Sequence, residues 1–356
     1  MVGGRDRRGG EHPQEPPRGP AEEGTGRQAG RLCRLGHAGA ACGQAARPAE
    51  GQAEGAAEVS PGAPDGAIDV SDIHFLLSGL YVYPVKSCAG VALDEALLVE
   101  TGLEFDRAWM VVDPDGRFLT QRELPRMALI RPELRHQDMV LRAPGMLALH
   151  VAYDTVEEPV TVQVWNDTVR AYDMGRLASQ WFSDFLGRPV RLVRFDPEQK
   201  RLSSTRWTGG LEAENQFSDG YPLLVLSQSS LDGLNERLAA RGAAPVGIER
   251  FRPNLVIAGL DAPLDPHAED FLDELWIDTD QGRVHLKLVK PCPRCPIPNV
   301  DPATGEPGTE PLDTLATYRA DARLDGALTF GMNAIILDGI EHLLRRGATG
   351  SATLKF

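Results

Sequence analysis

The stretch from Val289 to Gly305, VKPCPRCPIPNVDPATG, restricts the fold of this chain more than any other. Prolines at 291, 293, 296 and 298 surround Cys292 and Cys295. Each proline fixes φ and removes a backbone donor, so the segment should neither continue as a helix nor sit as a central strand. A stiff, irregular loop presenting thiols is expected. The preceding run Arg283–Val289 alternates polar and apolar and reads as a half-buried strand feeding it.

Four chemistries fit such a pair. A thioredoxin-type dithiol needs its first cysteine at a helix N-terminus to lower the thiol pKa, and Pro296 and Pro298 deny that helix. Half of a zinc site would need two more ligands. No second C-x-x-C or H-x3-5-H follows, and only Cys88 and His285 could complete one. A single thiolate could serve as the soft protein ligand of a transition-metal cofactor. The plain alternative is two packed structural thiols, since free cysteine behaves as a small hydrophobe.

Charge and composition narrow the class. A net charge of −14 and a pI near 5.1 argue against nucleic acid, which wants a basic surface. Five cysteines without a secreted-framework spacing point to a reducing compartment, here the cytoplasm. No apolar run approaches the roughly 20 residues that span a bilayer, so neither an anchor nor a membrane partner is expected. Residues 1–70 hold Gly, Ala, Pro, Arg and Glu with almost no large apolar side chain, and read as a disordered tail carrying Cys33 and Cys42.

From Ile73 onwards the signals are mostly short strands: His74–Val82, Leu93–Val99, Ala108–Val112, Phe118–Thr120, Met139–Leu141, Leu147–Val151, Val160–Val164 and Val190–Phe195. Asp113–Gly116 is hairpin-turn chemistry. Gly175–Leu186 carries apolar residues at 177, 178, 181, 182, 185 and 186, a helical period stopped by Gly187. Lys200–Phe217 is polar, contains Arg201, Arg206 and Trp207, and is expected to loop over a site. A strand then runs into a helix after Gln228, with Ser229 or Ser230 as its N-cap, a junction suited to anions. Leu255–Ala258 and Leu275–Ile277 are further strands, Leu312–Arg319 a short helix, and Ala334–Leu337 a closing strand. Such a string of short strands suggests a small antiparallel barrel or sandwich. The histidines follow no catalytic pattern; His285 alone lies on the strand leading to the thiol loop. No nucleophile elbow and no dinucleotide fingerprint appear.

Arg294-Cys295 followed by Val300-Asp301-Pro302 and Thr304-Gly305 resembles the signature of the MOSC domain. Further motifs appear in that family's order: YPVKSC at Tyr83–Cys88, FDRAWMVVD at Phe105–Asp113, FLTQRELPRMALI at Phe118–Ile130, SDGYPLLVLSQSSLDGLNERL at Ser218–Leu238, FRPNLVI at Phe251–Ile257 and FGMN at Phe330–Asn333. The whole resembles the branch of mitochondrial amidoxime-reducing components and their bacterial YcbX-like relatives.

That resemblance implies a mixed α/β, β-rich fold. A MOSC N-terminal β-barrel-like domain would span about 73–200 and a MOSC β-barrel domain about 201–350, with a cofactor in the cleft between them. The cofactor it implies is molybdenum-molybdopterin, a dithiolene-held metal with a phosphate; at family level it also implies pyridoxal phosphate. On the motif spacing Cys295 is the metal ligand and catalytic thiol, with Cys292 a neighbour and Arg294 holding the thiolate. Lys86, Ser87, Arg107, Arg252 and Asn254 would contact the phosphate, the Ser227-Gln228-Ser229 turn would donate amides or hydroxyls, and Asn333 would complete the pocket. The implied activity is reduction of small N-hydroxylated compounds with electrons from a separate ferredoxin-type or flavoprotein reductase. A non-catalytic carrier of the cofactor or of sulfur is the alternative. From net charge alone, the electron donor is expected to present a basic patch.

Overall fold

A computed structural model describes residues 73–155 and 158–355, and the tail expected over 1–70 lies outside the described residues. At its centre seven strands close into a barrel. Round the wall run Leu223–Ser227, Leu255–Gly259, Ile73–Val82, Thr349–Leu354, Leu272–Thr279, Gly282–Pro293 and Ala327–Asp338. The last returns to the first through the pairing of Leu224 with Asn333. Neighbours are antiparallel except Leu223–Ser227 and Leu255–Gly259, which run parallel. A parallel pair needs a long crossover, and the helix Gln228–Ala240 lies in it. Closure leaves no unpaired edge. Alternation along the strands sends Phe75, Leu77, Val225, Ile257, Leu275, Leu286 and Ala334 into a shared core.

The segment between the first barrel strand and Phe195 forms smaller layers. One sheet is Trp109–Val112, Arg191–Phe195, Asp167–Asp173 and Glu158–Val164; another is Arg131–Leu134, Asp138–Arg142 and Leu149–Ala152. The helix Gly175–Leu186 forms as its period predicts, with Gly187 at φ 72° ending it. It buries Ala178, Trp181, Phe182, Phe185 and Leu186, whereas Leu177 is 74% exposed. No helix among the described residues is long and apolar enough to cross a membrane.

Several expectations change in detail. Phe118–Thr120 makes only a single bridge, Val112 to Phe118, because the chain turns at Thr120, whose carbonyl accepts from the amides of Glu123 and Leu124. The helix expected over Leu312–Arg319 is one turn, Leu312–Leu315. Ser227, not Ser229 or Ser230, caps the Gln228–Ala240 helix, its Oγ accepting from the amide of Ser230 at 3.1 Å. Ala334–Leu337 is the end of a longer strand, and Thr349–Leu354 follows it to fill the barrel wall. The proline-rich segment does not leave the sheet at Val289. The strand continues to Pro293, with register irregularities between Leu288 and Lys290 and between Pro291 and Pro293. Bulges are where a sheet tolerates a residue that cannot donate.

Candidate functional site

Two barrel strands, Leu223–Ser227 and Leu255–Gly259, begin near a cavity at which two others, Ile73–Val82 and Gly282–Pro293, end. The loops at these ends supply its wall: Lys86, Ser87, Arg107, Thr120, Arg122, Asp219, Tyr221, Phe251, Arg252, Asn254, Cys292, Arg294 and Asn333. Three of these residues hold left-handed backbone: Ser87 at φ 65°, Arg107 at 50° and Arg252 at 59°. Each such conformation costs about 1–3 kcal/mol for a non-glycine residue and persists only where the surroundings fix it.

Fully buried Tyr83 carries both central guanidinia. Arg107 Cζ lies 4.3 Å and Arg252 Cζ 4.2 Å from its ring centroid. Arg107 Nη1 donates to Asp106 Oδ2 at 2.5 Å and to Asn254 Oδ1 at 3.2 Å, and its Nη2 to the carbonyl of Arg252 at 3.0 Å. Asn254 in turn accepts from the amide of Leu224 and donates to the carbonyl of Tyr81, which locks the side chain between two barrel strands. Arg252 Nη1 donates to the carbonyl of Cys88 at 2.5 Å, while its buried Nη2 has no partner among the described residues. Burial, then the neighbouring Arg107 charge, lowers the Arg252 pKa to about 10. Burial likewise pushes the Cys88 thiol up to about 12, so it is a packed thiol.

Lys86 is 5% exposed and donates to the carbonyl of Phe217 at 2.7 Å and to Asp219 Oδ1 at 2.5 Å. Burial lowers its pKa, against the pull of Asp219. The loop that provides those acceptors is pinned by Arg201, whose Nη1 donates to the carbonyls of Gln216 and Ser218 and whose Nε donates to Asp167. On the opposite strand end, Arg294 Nη1 donates to Cys292 Sγ at 3.1 Å and Nη2 to the carbonyl of Phe251 at 2.8 Å. Its buried Nε is unpartnered among the described residues.

The structure thus brings together Lys86, Ser87, Arg107, Arg252, Asn254, Arg294 and Asn333. It does not bring the helix-cap turn to them. Ser227 is fully buried in its capping role, Gln228 donates to Asp232, and Gln228 and Ser229 border a separate groove. Of the two thiols, Cys292 lines the cavity; Cys295, three residues on and half-buried, is outside the lining. His285 pairs with Glu274 at 2.8 Å and stacks on Trp276, away from the thiols. Among the described residues no group of three or more His, Cys, Asp or Glu is placed to hold a metal ion. Sequence reasoning passed over Tyr83, Arg122, Asp219 and Tyr221 as site residues, although Tyr83, Asp219 and Tyr221 stand inside the YPVKSC and SDGYP motifs.

Among the described residues five cations line the cavity against one carboxylate, Asp219. Two buried guanidinium nitrogens there lack acceptors, and buried donors are almost always satisfied. An oxyanion such as a phosphate would satisfy them with charge-assisted bonds. The thiol on the wall adds a soft donor suited to a transition metal. The donor set therefore fits a phosphorylated, metal-bearing group.

Residues 74–189 match the MOSC N-terminal beta barrel domain, and residues 212–347 match the MOSC domain. The chain belongs to the MOSC family. Human mitochondrial amidoxime reducing component 2 is 36% identical over 250 residues, which cover 67% of this chain and 71% of that protein. Its Bos taurus counterpart is 36% identical over 253 residues, 68% of this chain and 72% of that one. Bos taurus molybdenum cofactor sulfurase is 28% identical over 288 residues, 76% of this MOSC chain but 31% of the sulfurase.

Proposed function

We propose that this MOSC protein is a molybdenum-cofactor-dependent reductase of small N-hydroxylated compounds, fed by a separate electron carrier. The observation that carries the reading is the pair of buried, acceptorless guanidinium nitrogens in a five-cation cavity walled by a thiol. The names of the relatives support the two halves of it, amidoxime reduction and the molybdenum cofactor.

When bound, the cofactor supplies two-electron reduction: an amidoxime takes two electrons and two protons, loses its N–O oxygen as water and leaves an amidine. The chain's own part is to bind and orient. Arg252 Nη2 and Arg294 Nε offer donors to a phosphate, Arg107 and Lys86 add charge, and Asn254 and Tyr83 hold the arginines in place. Cys295 is the protein ligand on the motif spacing, with Cys292, on the wall beneath Arg294, as its neighbour. Pyridoxal phosphate fits less well, because the buried Lys86 amine is engaged by Phe217 and Asp219 and is not free to form an imine. The free thiols Cys88, Cys292 and Cys295 suit a reducing compartment such as the cytoplasm.

The test is protein purified from a host that makes the molybdenum cofactor. Stoichiometric molybdenum, and reduction of benzamidoxime with reduced methyl viologen, are expected. Cys295→Ser should lose both, and Cys292→Ser should keep most of each; the reverse result would move the ligand to Cys292. The similarity to the sulfurase leaves one other reading, a carrier that hands the cofactor on. Stoichiometric cofactor without turnover of any N-hydroxylated substrate would favour it.

A further inference from the structure

Beside the mouth of the cavity, Arg206 and Lys290 both sit on the indole of Trp207. Lys290 Nζ lies 5.6 Å from that ring centroid and 5.9 Å from the ring of Tyr221, and Arg206 Cζ lies 5.7 Å from Trp207. The group is tied to the cavity wall: Tyr221 lines it, and the carbonyl of Lys290 accepts from Nδ2 of Asn333, another lining residue. A third seated cation, Arg122, stands 4.6 Å from the ring of Trp165, whose Nε1 donates to Asp219 at the same cavity. Neither Arg206 nor Lys290 has a carboxylate partner among the described residues. Of the acids on that loop, Glu214 is engaged by Lys200 and Asp219 by Lys86, and Glu212 is exposed. Leu202 and Leu211, 47% and 45% exposed, lie on the same loop as Trp207.

In a chain with a net charge of −14, unpaired cations on aromatic seats at one mouth are the inverse of the global charge. Arg, Trp and Tyr beside exposed apolar side chains are what protein interfaces concentrate. Electron tunnelling falls steeply with distance, so a protein donor has to dock at this mouth to reach a group held inside. We propose that Arg206, Trp207 and Lys290, with Leu202 and Leu211, form the docking surface for an acidic one-electron carrier protein. The inference rests on the reductase reading. Two reduced carriers, each giving up one electron, supply the pair that the substrate consumes. The proposed partner is opposite in sign to the basic one expected from net charge, and the titration below decides between them.

The probe is a plant-type [2Fe–2S] ferredoxin, an acidic carrier, titrated against the cofactor-loaded protein at low ionic strength and again at ~0.5 M salt, where the screening length is a few Å. Binding should be measurable at low salt and lost at high salt. The double variant Arg206→Glu with Lys290→Glu should weaken it at least about tenfold and flatten the salt dependence. The same variant should melt like the wild type and turn over benzamidoxime normally with methyl viologen, a small donor that needs no docking. Arg206→Lys should bind nearly as the wild type does. Unchanged affinity in the double variant, or no ferredoxin binding by the wild type, overturns the proposal. So does binding to phosphatidylserine vesicles in place of ferredoxin, which would make the surface a membrane contact. Failure of methyl-viologen turnover in the wild type would refute the reductase reading, while the ferredoxin titration still decides the docking surface.

Discussion

Two guanidinia sharing the ring of Tyr83 repel each other, and Arg252 is the one held with a free buried donor. Inorganic phosphate should therefore raise the melting temperature of cofactor-free protein, by the linkage of a ligand that binds only the folded state. Chloride at equal ionic strength should not, and Arg252→Ala should abolish the increment; a phosphate effect that survives this variant would sink the anion site. A second residue-scale prediction concerns His267, packed between Tyr318 and Phe330 with both ring nitrogens unpartnered among the described residues. Burial, then the charges of Arg319 and Arg237, lower its pKa from 6.5 to about 4. Between those values the unfolded chain binds the proton and the folded chain does not, so stability falls as pH drops through that window. His267→Gln should flatten the melting temperature from pH 6.5 to 4, and an unaltered slope would refute the assignment. Part of the polar wall of the site was legible because Lys86, Arg107, Arg252 and Asn254 stand in motifs. The pairings were not: Lys86 meets Asp219 and Arg107 meets Asn254 across 133 and 147 residues, distances over which no local pattern speaks.

Elements that depend on local chemistry followed the sequence, as with the Gly175–Leu186 helix and its glycine stop. Elements decided by tertiary pairing did not. The strand through Pro291 and Pro293 exists because bulges and the long partner Ala327–Asp338 accommodate prolines that a regular ladder would reject. That partner strand has its own constraint at Gly331, where φ is +82° and a methyl group on Cα would lie only 2.9 Å from the carbonyl oxygen of Val225. Gly331→Ala should cost on the order of 1–3 kcal/mol in backbone strain. It should also displace Asn333 from the cavity, lowering cofactor content more than a neutral surface substitution does. Chemical denaturation and metal analysis read the two effects separately; wild-type stability in Gly331→Ala would show that the strand has room to shift.

At the scale of the molecule, the matched family segments do not coincide with the sheets. Ile73–Val82 falls almost wholly in the first match, 74–189, yet lies in the barrel between Leu255–Gly259 and Thr349–Leu354. A fragment of residues 201–355 would lack that strand and expose two unpaired edges, and a fragment of 73–200 would carry it without its two barrel neighbours. The strand brings Phe75, Leu77, Leu80 and Val82 into the core, each at most 1% exposed. At about 1.5–3 kcal/mol for each buried side chain, their loss removes roughly 6–12 kcal/mol. That rivals the whole stability of an ordinary folded protein, about 5–15 kcal/mol. Neither fragment should therefore fold alone, and residues 73–355 should unfold in a single transition seen alike by far-UV and near-UV circular dichroism. Two separated transitions, or a soluble 201–355 fragment with native near-UV signal, would mean that the barrel closes without its first strand.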